Sequence, residues 1–321
     1  MFDLVLPVVL LVLGAVLLTV GAEAFAEHVT AAASKLGVSV LALGVLLAGA
    51  EPEEAITAML ASGQGHPALA AGDAIGANLV ILTLTIGLAA LFTRLPVGRR
   101  VMGYAGAAAV AGALTVLFLW NGVMTRLEGG LLVLAYAAGV VWVWRREKQP
   151  PMIGELAELS DVSLPSKGAD EYDEPSRSVL LVLLGLLGMV AGGFLAVHGA
   201  EGLVDVFEVS ESVIGLTVLA LATSAEMIAL VWAAHRRGVG EVVVAGVVGA
   251  VAYNATMSIG LGALVSPLAI GSGSSVITIA SATVVLPLLL FAGRRTGHFP
   301  RTLGLILVAA YFFSVGWLFL R

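Results

Sequence analysis

The sequence predicts an all-α polytopic membrane protein of about ten transmembrane helices in two inverted five-helix repeats, with helices 2 and 7 broken. Three observations carry that prediction. The 321 residues are 59% hydrophobic and only 12% charged, with a mean hydropathy of +1.03, whereas soluble domains average roughly 25% charged residues. The apolar residues fall in runs close to the ~20 residues that a spanning helix needs. The stretch 76–87 also recurs in pattern at 249–260.

Ten spans are expected, at 2–24, 38–62, 69–93, 100–120, 126–145, 178–199, 211–235, 241–265, 272–293 and 301–320. Gly/Pro or basic clusters separate them: Gly63 to Pro67, Leu95 to Arg100, Asn121-Gly122, Arg236-Arg237-Gly238 and Gly293 to Pro300. The start, Met1-Phe2-Asp3-Leu4, lacks the basic region of a signal peptide, so the first run is expected to stay as a membrane helix. Residues 1–145 form the first repeat, 146–177 an acidic linker and 178–321 the second repeat. The linker carries eight acids and the prolines Pro150, Pro151, Pro165 and Pro175, but no EF-hand spacing, and reads as a solvated connection. With the N-terminus outside, 14 of the 16 Lys and Arg residues fall on the cytoplasmic side, leaving only Arg126 and Arg321 outside. Both termini are therefore expected outside an inner or plasma membrane. There is no cysteine, which excludes disulfides, thiolate metal sites and cysteine nucleophiles. Nothing in the sequence suggests nucleic acid as a partner.

The two halves correspond residue by residue. Gly21-Ala22-Glu23 closes span 1 and Gly199-Ala200-Glu201 closes span 6; Gly76 to Gly87 pairs with Gly249 to Gly260. Extending the second register without a gap places Glu53 opposite Glu226. Five spans separate the repeats, and five is odd, so the two cross the membrane in opposite senses. Inverted repeats with interrupted helices at matching positions mark a secondary transporter that binds its substrate near the midplane.

The chemistry centres on Ala48-Gly49-Ala50-Glu51-Pro52-Glu53-Glu54. Each mid-bilayer charge costs at least ~2.5–3.5 kcal/mol on insertion scales, so three carboxylates together need a reason. A buried salt bridge is disfavoured, because no Lys or Arg lies between Lys35 and Arg94. Pro52 removes a backbone donor and Gly49 weakens the same turn, freeing carbonyls for a cation. On an unbroken helix Glu51 and Glu54 share a face that Glu53 avoids. Carboxylates and carbonyls are hard oxygen ligands, suited to Ca²⁺ or Mg²⁺. In repeat 2, Glu226 is the only acid inside span 7 after Glu211 at its very start, with Thr223 and Ser224 just before it. Those hydroxyls either ligate or bond back to helix carbonyls. Asn78 and Asn254 are uncharged oxygen donors in apolar runs, and Asp73 falls near the outer end of its span, where water would solvate it. The histidines sit near span ends without metal-ligand spacing, and Trp120, Trp142, Trp144, Trp232 and Trp317 read as interfacial belt residues.

These motifs resemble the cation/calcium exchanger superfamily, which includes sodium/calcium and calcium/proton exchangers. Its members carry, in each repeat, a Gly-Thr-Ser-x-Pro-Glu-like segment followed by a Gly-Asn-x-x-Gly-Ser-Asn-like segment. Gly49 to Glu54 and Gly72 to Asn78 match them in repeat 1; Ala222 to Glu226 and Gly246 to Asn254 match them in repeat 2. The resemblance implies antiport by alternating access, with a glutamate from each repeat binding Ca²⁺ in competition with the counter-ion, H⁺ or Na⁺. Spacing back from Gly76 points to Glu54 as the repeat-1 ligand, whereas the internal register points to Glu53. The sequence also departs from the pattern. Ala50 and Glu51 replace Thr-Ser, Ala77 and Ala250 replace serines, Ile81 replaces a polar ligand, and Asn254 stands where many sodium-coupled members are acidic.

Hydroxyls that would suit Na⁺ are thus half missing, and a carboxylate is gained. Crowded carboxylates take up protons more readily, which tilts the expectation towards proton coupling. The expected cation ligands are Glu51, Glu53, Glu54, Asn78, Thr223, Ser224, Glu226 and Asn254, with no cofactor beyond the transported ions. Two rivals remain at this stage: an ion-sensing homologue that transports nothing, and a membrane-embedded hydrolase using paired carboxylates.

Overall fold

A computed structural model of the protein describes residues 2–35, 51–147, 175–228 and 240–320. The linker over 148–174, the first part of span 2 with Gly49 and Ala50, and the end of span 7 with Trp232 and His235 lie outside the described residues.

Among the described residues, ten helical segments occupy the positions expected of the ten spans. They are α1 (Phe2–Lys35), α2 (Pro52–Gly63), α3 (Pro67–Phe92), α4 (Arg99–Leu119), α5 (Arg126–Glu147), α6 (Pro175–Phe207), α7 (Glu211–Thr223), α8 (Gly240–Tyr253, continuing to Ile259–Val265), α9 (Ser275–Arg295) and α10 (Arg301–Leu320). Eight of them hold a stretch long and apolar enough to cross a bilayer. Pro52 and Pro67 open α2 and α3, where their missing N–H is no loss. The protein is an all-α, multi-pass membrane protein; its only described strands are β1 (Val123–Met124) and β2 (Leu268–Ala269).

The helices α3 and α8 are buried along most of their length, while α1, α5, α6 and α10 turn apolar faces outward. Since lipid tails are as apolar as leucine, close packing rather than water exclusion must hold such helices together. The pair α1/α6 shows how. A Cβ at Gly14 would stand 2.5 Å from the Ala196 nitrogen, one at Gly21 2.7 Å from the Gly185 oxygen, and one at Gly199 2.5 Å from the Leu11 nitrogen. The contacts ascend on α1 as they descend on α6, so the two helices run antiparallel, as inverted repeats require.

Backbone pairing ties loops together at both ends of the bundle. At one end β1 and β2 pair antiparallel, Val123 with Ala269 and Met124 with Leu268. Gly122 makes that turn at φ +85°, and a Cβ there would lie 2.4 Å from the Gly271 backbone. At the other end the Val97 N–H donates to the Gly297 oxygen and the Phe299 N–H to the Leu95 oxygen, each at 2.9 Å. An even span count places exactly these loop pairs on common faces.

Among the described residues, three helices carry π-helical turns: α3 over Val80–Thr85, α7 over Gly215–Leu219 and α8 over Asn254–Ser258. Those of α3 and α8 fall at equivalent positions of the repeat. A π turn widens the ladder and leaves a carbonyl short of its usual donor, a distortion found mostly at functional sites. In α8 the Ala255 carbonyl is met by the Thr115 hydroxyl of α4.

Candidate cation site

The two repeats carry a non-helical residue at matching places. Glu51 has φ −112° and ψ 65°, outside the helical region, and α2 starts at Pro52. Ser224 interrupts its helix with φ −91° and ψ 6°, after which helix resumes over 225–228. The register that pairs Gly76 with Gly249 also pairs Glu51 with Ser224. Because Glu51 is not on the helix, the expected shared face of Glu51 and Glu54 does not exist. Each of the three acids turns elsewhere, and all three are 1% exposed.

Glu51 Oε2 accepts from Asn254 Nδ2 of α8 at 3.1 Å, and Asn254 Oδ1 accepts from Ser258 Oγ at 3.2 Å. Glu54 Oε1 accepts from Ser224 Oγ at 3.1 Å, which joins the two repeats directly. Glu53 faces Glu226, and Thr19 of α1 lies beside the same carboxylate. Thr223 Oγ1 is 3.3 Å from Asp73 Oδ1, 3.2 Å from the Leu219 oxygen and 3.3 Å from the Ala220 oxygen. The threonine thus does both things open to it, bonding back to its helix and facing a carboxylate. Asn78 Nδ2 donates to the Val251 oxygen at 3.1 Å. Asn78 and Val251 are equivalent in the repeat, so the pseudo-twofold axis passes near this bond, and Asn78 also has a structural role.

Close packing brings these groups together. A Cβ at Gly76 would stand 2.6 Å from Ala220 Cβ and 2.7 Å from Leu216 Cα, so only glycine lets α3 cross α7 at that depth. The crossing overturns one expectation: Asp73, expected in water, is 0% exposed. Depth along a span does not decide burial when a neighbouring helix covers that turn.

The structure therefore brings Glu51, Glu53, Glu54, Thr223, Ser224, Glu226 and Asn254 into one connected region, with Asn78 at its edge. Asp73, Ser258 and Thr19 join it without having been singled out as ligands. Ser258 lies inside the repeated segment and is the counterpart of Thr85, a signal that was available. Thr19 is a lone hydroxyl in an apolar run and offered none. Among the described residues no three His, Asp or Glu side chains converge as a closed metal cage. The donors instead come as carboxylates with hydroxyl and amide oxygens, a set that suits hard cations. His66, in the α2–α3 turn, reaches Glu211 at 2.9 Å and Glu201 at 3.6 Å. Trp120 and Trp142 are exposed on the outer surface, whereas Trp317 packs partly against the core.

Comparison with known proteins agrees with this architecture. The chain is 24% identical over 320 residues to an uncharacterized membrane protein of Methanocaldococcus jannaschii, covering 97% of this chain and 95% of that one. It is 25% identical over 294 residues to CaxA of Alkalimonas amylolytica, named as a candidate antiporter, covering 89% and 90%. It is 27% identical over 239 residues to the inner membrane protein YrbG of Escherichia coli, covering 72% and 69%. The solved sodium/calcium exchanger from Methanococcus jannaschii shares the fold with a TM-score of 0.59 at 22% identity, covering 98% of each chain. The profile of the sodium/calcium exchanger protein family matches twice, over residues 6–145 and 177–320. The chain, matched over both of its halves, belongs to the sodium/calcium exchanger family of cation antiporters.

Proposed function

We propose that this antiporter moves a divalent cation, Ca²⁺, in exchange for H⁺ or Na⁺, across an inner or plasma membrane with both termini outside. The observation that carries the reading is the bond between Ser224 and Glu54, which joins the two repeats beside the Glu53–Glu226 pair. Glu53 or Glu54, Glu226, Asn254 and the carbonyls near Pro52 bind the ion, and Glu51 serves as an extra ligand or proton carrier. The glycine seam between α1 and α6 allows those two helices to slide as one body past the site, exposing it to each side in turn. Thr19 links the slider to Glu226. The family is one of secondary transporters, which sets the hydrolase reading aside. YrbG is named an inner membrane protein, in keeping with the location proposed.

The preference for H⁺ rests on what is missing and what is gained. Ala77, Ala250 and Ile81 leave oxygen positions empty, while Glu51 and Asp73 add carboxylates. The same losses favour a second reading, an ion sensor that transports nothing. Ca²⁺ flux into proteoliposomes, driven by a pH gradient or by a Na⁺ gradient at zero membrane potential, decides among these. The pH gradient should suffice. Flux driven by Na⁺ alone would reverse the counter-ion assignment, and calcium-dependent thermal stabilisation without flux would select the sensor. Transport surviving in the triple variant Glu53→Gln/Glu54→Gln/Glu226→Gln would overturn the site.

A further inference from the structure

Asp73 stands where the superfamily's second motif carries asparagine, and nothing in repeat 2 matches it. The register that pairs Gly76 with Gly249 sets Gly246 opposite Asp73. The side chain is 0% exposed, and its Oδ2 has no hydrogen-bond partner among the described residues. Its Oδ1 faces the Thr223 hydroxyl at 3.3 Å. Glu54 neighbours both: it meets Thr223 and Ser224, and lies within electrostatic reach of Asp73. Two carboxylates therefore flank one hydroxyl, and the buried Asp73 Oδ2 among them is unpartnered. Glu53, one residue away, points instead to Glu226, which Thr19 also flanks. The acids thus fall into two adjoining groups, with Glu54 also within electrostatic reach of Glu226.

A bare carboxylate is costly to bury unless something answers its charge or its lone pairs. No Lys or Arg lies between Lys35 and Arg94 in the sequence. Burial of Asp73 is also built in rather than accidental. Gly72 and Gly215 pack backbone to backbone, and a Cβ on Gly72 would lie 3.1 Å from Gly215 Cα. That contact holds the turn bearing Asp73 against the helix bearing Thr223.

We propose that Asp73, Glu54 and the Thr223 hydroxyl form a second cation subsite, distinct from the Glu53–Glu226 pair, that takes a hard, oxygen-seeking metal cation. The inference rests on the antiporter reading above and extends it: the chain holds one more cation than the motif pattern alone provides for. Two anionic oxygen donors and a neutral one fit Ca²⁺ or Na⁺ and exclude soft metals. Both carboxylates of the subsite come from repeat 1, which gives the otherwise two-fold site a handedness along the transport path.

The test is the number of cations bound per chain in detergent, measured by equilibrium dialysis with radioactive Ca²⁺ and, separately, Na⁺. Asp73→Asn, which restores the amide of the motif, should bind one fewer cation per chain and leave the affinity of the remainder within about two-fold. Glu226→Gln should remove the other class and leave the Asp73-dependent ion in place. Thr223→Ser should retain the count and Thr223→Val should reduce it, a pair that guards against a folding defect in the aspartate variant. An unchanged count in Asp73→Asn, with the wild-type protein binding cations normally, overturns the second subsite alone. A wild-type protein that binds neither ion overturns the antiporter reading on which it stands.

Discussion

Replacing Asn254 by aspartate tests the site most directly, because one contact sets the outcome. Asn254 Nδ2 donates to Glu51 Oε2 at 3.1 Å. Asn254→Asp turns that donor into a carboxylate oxygen at nearly the same place. Two unit charges about 3.1 Å apart repel by about 5 kcal/mol at the effective dielectric of ~20 that suits buried sites. Side-chain rotation that doubles the separation still leaves about 3 kcal/mol. The ion-free variant should therefore lose between those two figures in stability, a large part of the margin of an ordinary domain. A cation reverses the sign, since the new carboxylate becomes another ligand. Ion at 100 times its dissociation constant adds about 2.7 kcal/mol, so saturating Ca²⁺ should restore most of the loss. The assay is thermal unfolding in detergent with chelator and with Ca²⁺. The chelated variant should melt well below the parent, and its gain from Ca²⁺ should exceed the parent's. If the chelated variant melts with the parent, or Ca²⁺ helps both equally, Asn254 and Glu51 do not face a cation together.

Three further outcomes follow from the geometry. In Gly192→Leu the new Cβ would stand 2.7 Å from the Gly14 oxygen and the Leu18 nitrogen, backbone atoms that cannot rotate away. Flux should fall at least about ten-fold while equilibrium cation binding persists, because the seam is touched and the ligands are not; equal losses of both would refute a sliding role. Ser224→Ala removes the donor to a buried Glu54 oxygen and should cost about 1–3 kcal/mol in the chelated protein, read by the same melting assay. The buried Tyr136 hydroxyl has no hydrogen-bond partner among the described residues. Tyr136→Phe should therefore leave stability unchanged or raise it by up to about 1 kcal/mol, and a loss of more than that would show the hydroxyl engaged with the site.

Much of this was legible in the sequence, and the boundary of what was not has physical causes. Apolar length alone located the spans, because a bilayer imposes one thickness on each of them. The acids around Pro52 were legible as a site because charge in hydrocarbon demands an explanation. Their directions were not. A helical wheel assumes an unbroken helix, and Glu51 lies outside the helical region, so the wheel misplaced that residue against Glu54. Asp73 was misplaced for another reason: its position along the span suggested water, but Gly72 and Gly76 let α7 close over it. A contact of that kind depends on two distant stretches at once. Thr19 was invisible because hydroxyls in membrane helices ordinarily bond to their own backbone, whereas Ser258 could have been found from its place in the repeated segment.

The lengths of α1 and α6 have a mechanical consequence. Their apolar stretches, Asp3–Phe25 and Ser178–Phe207, hold 23 and 30 residues and run to about 35 and about 45 Å at 1.5 Å per residue, against a hydrocarbon layer of about 30 Å. A pair of rods that long and apolar must lean, and leaning is how a membrane protein answers a mismatch in thickness. If these two rods are also the part that slides, the bilayer acts as a spring on the exchange cycle. A thicker membrane straightens the rods and a thinner one lays them over, so lipid chain length joins ion gradients among the quantities that set which side of the membrane the site faces.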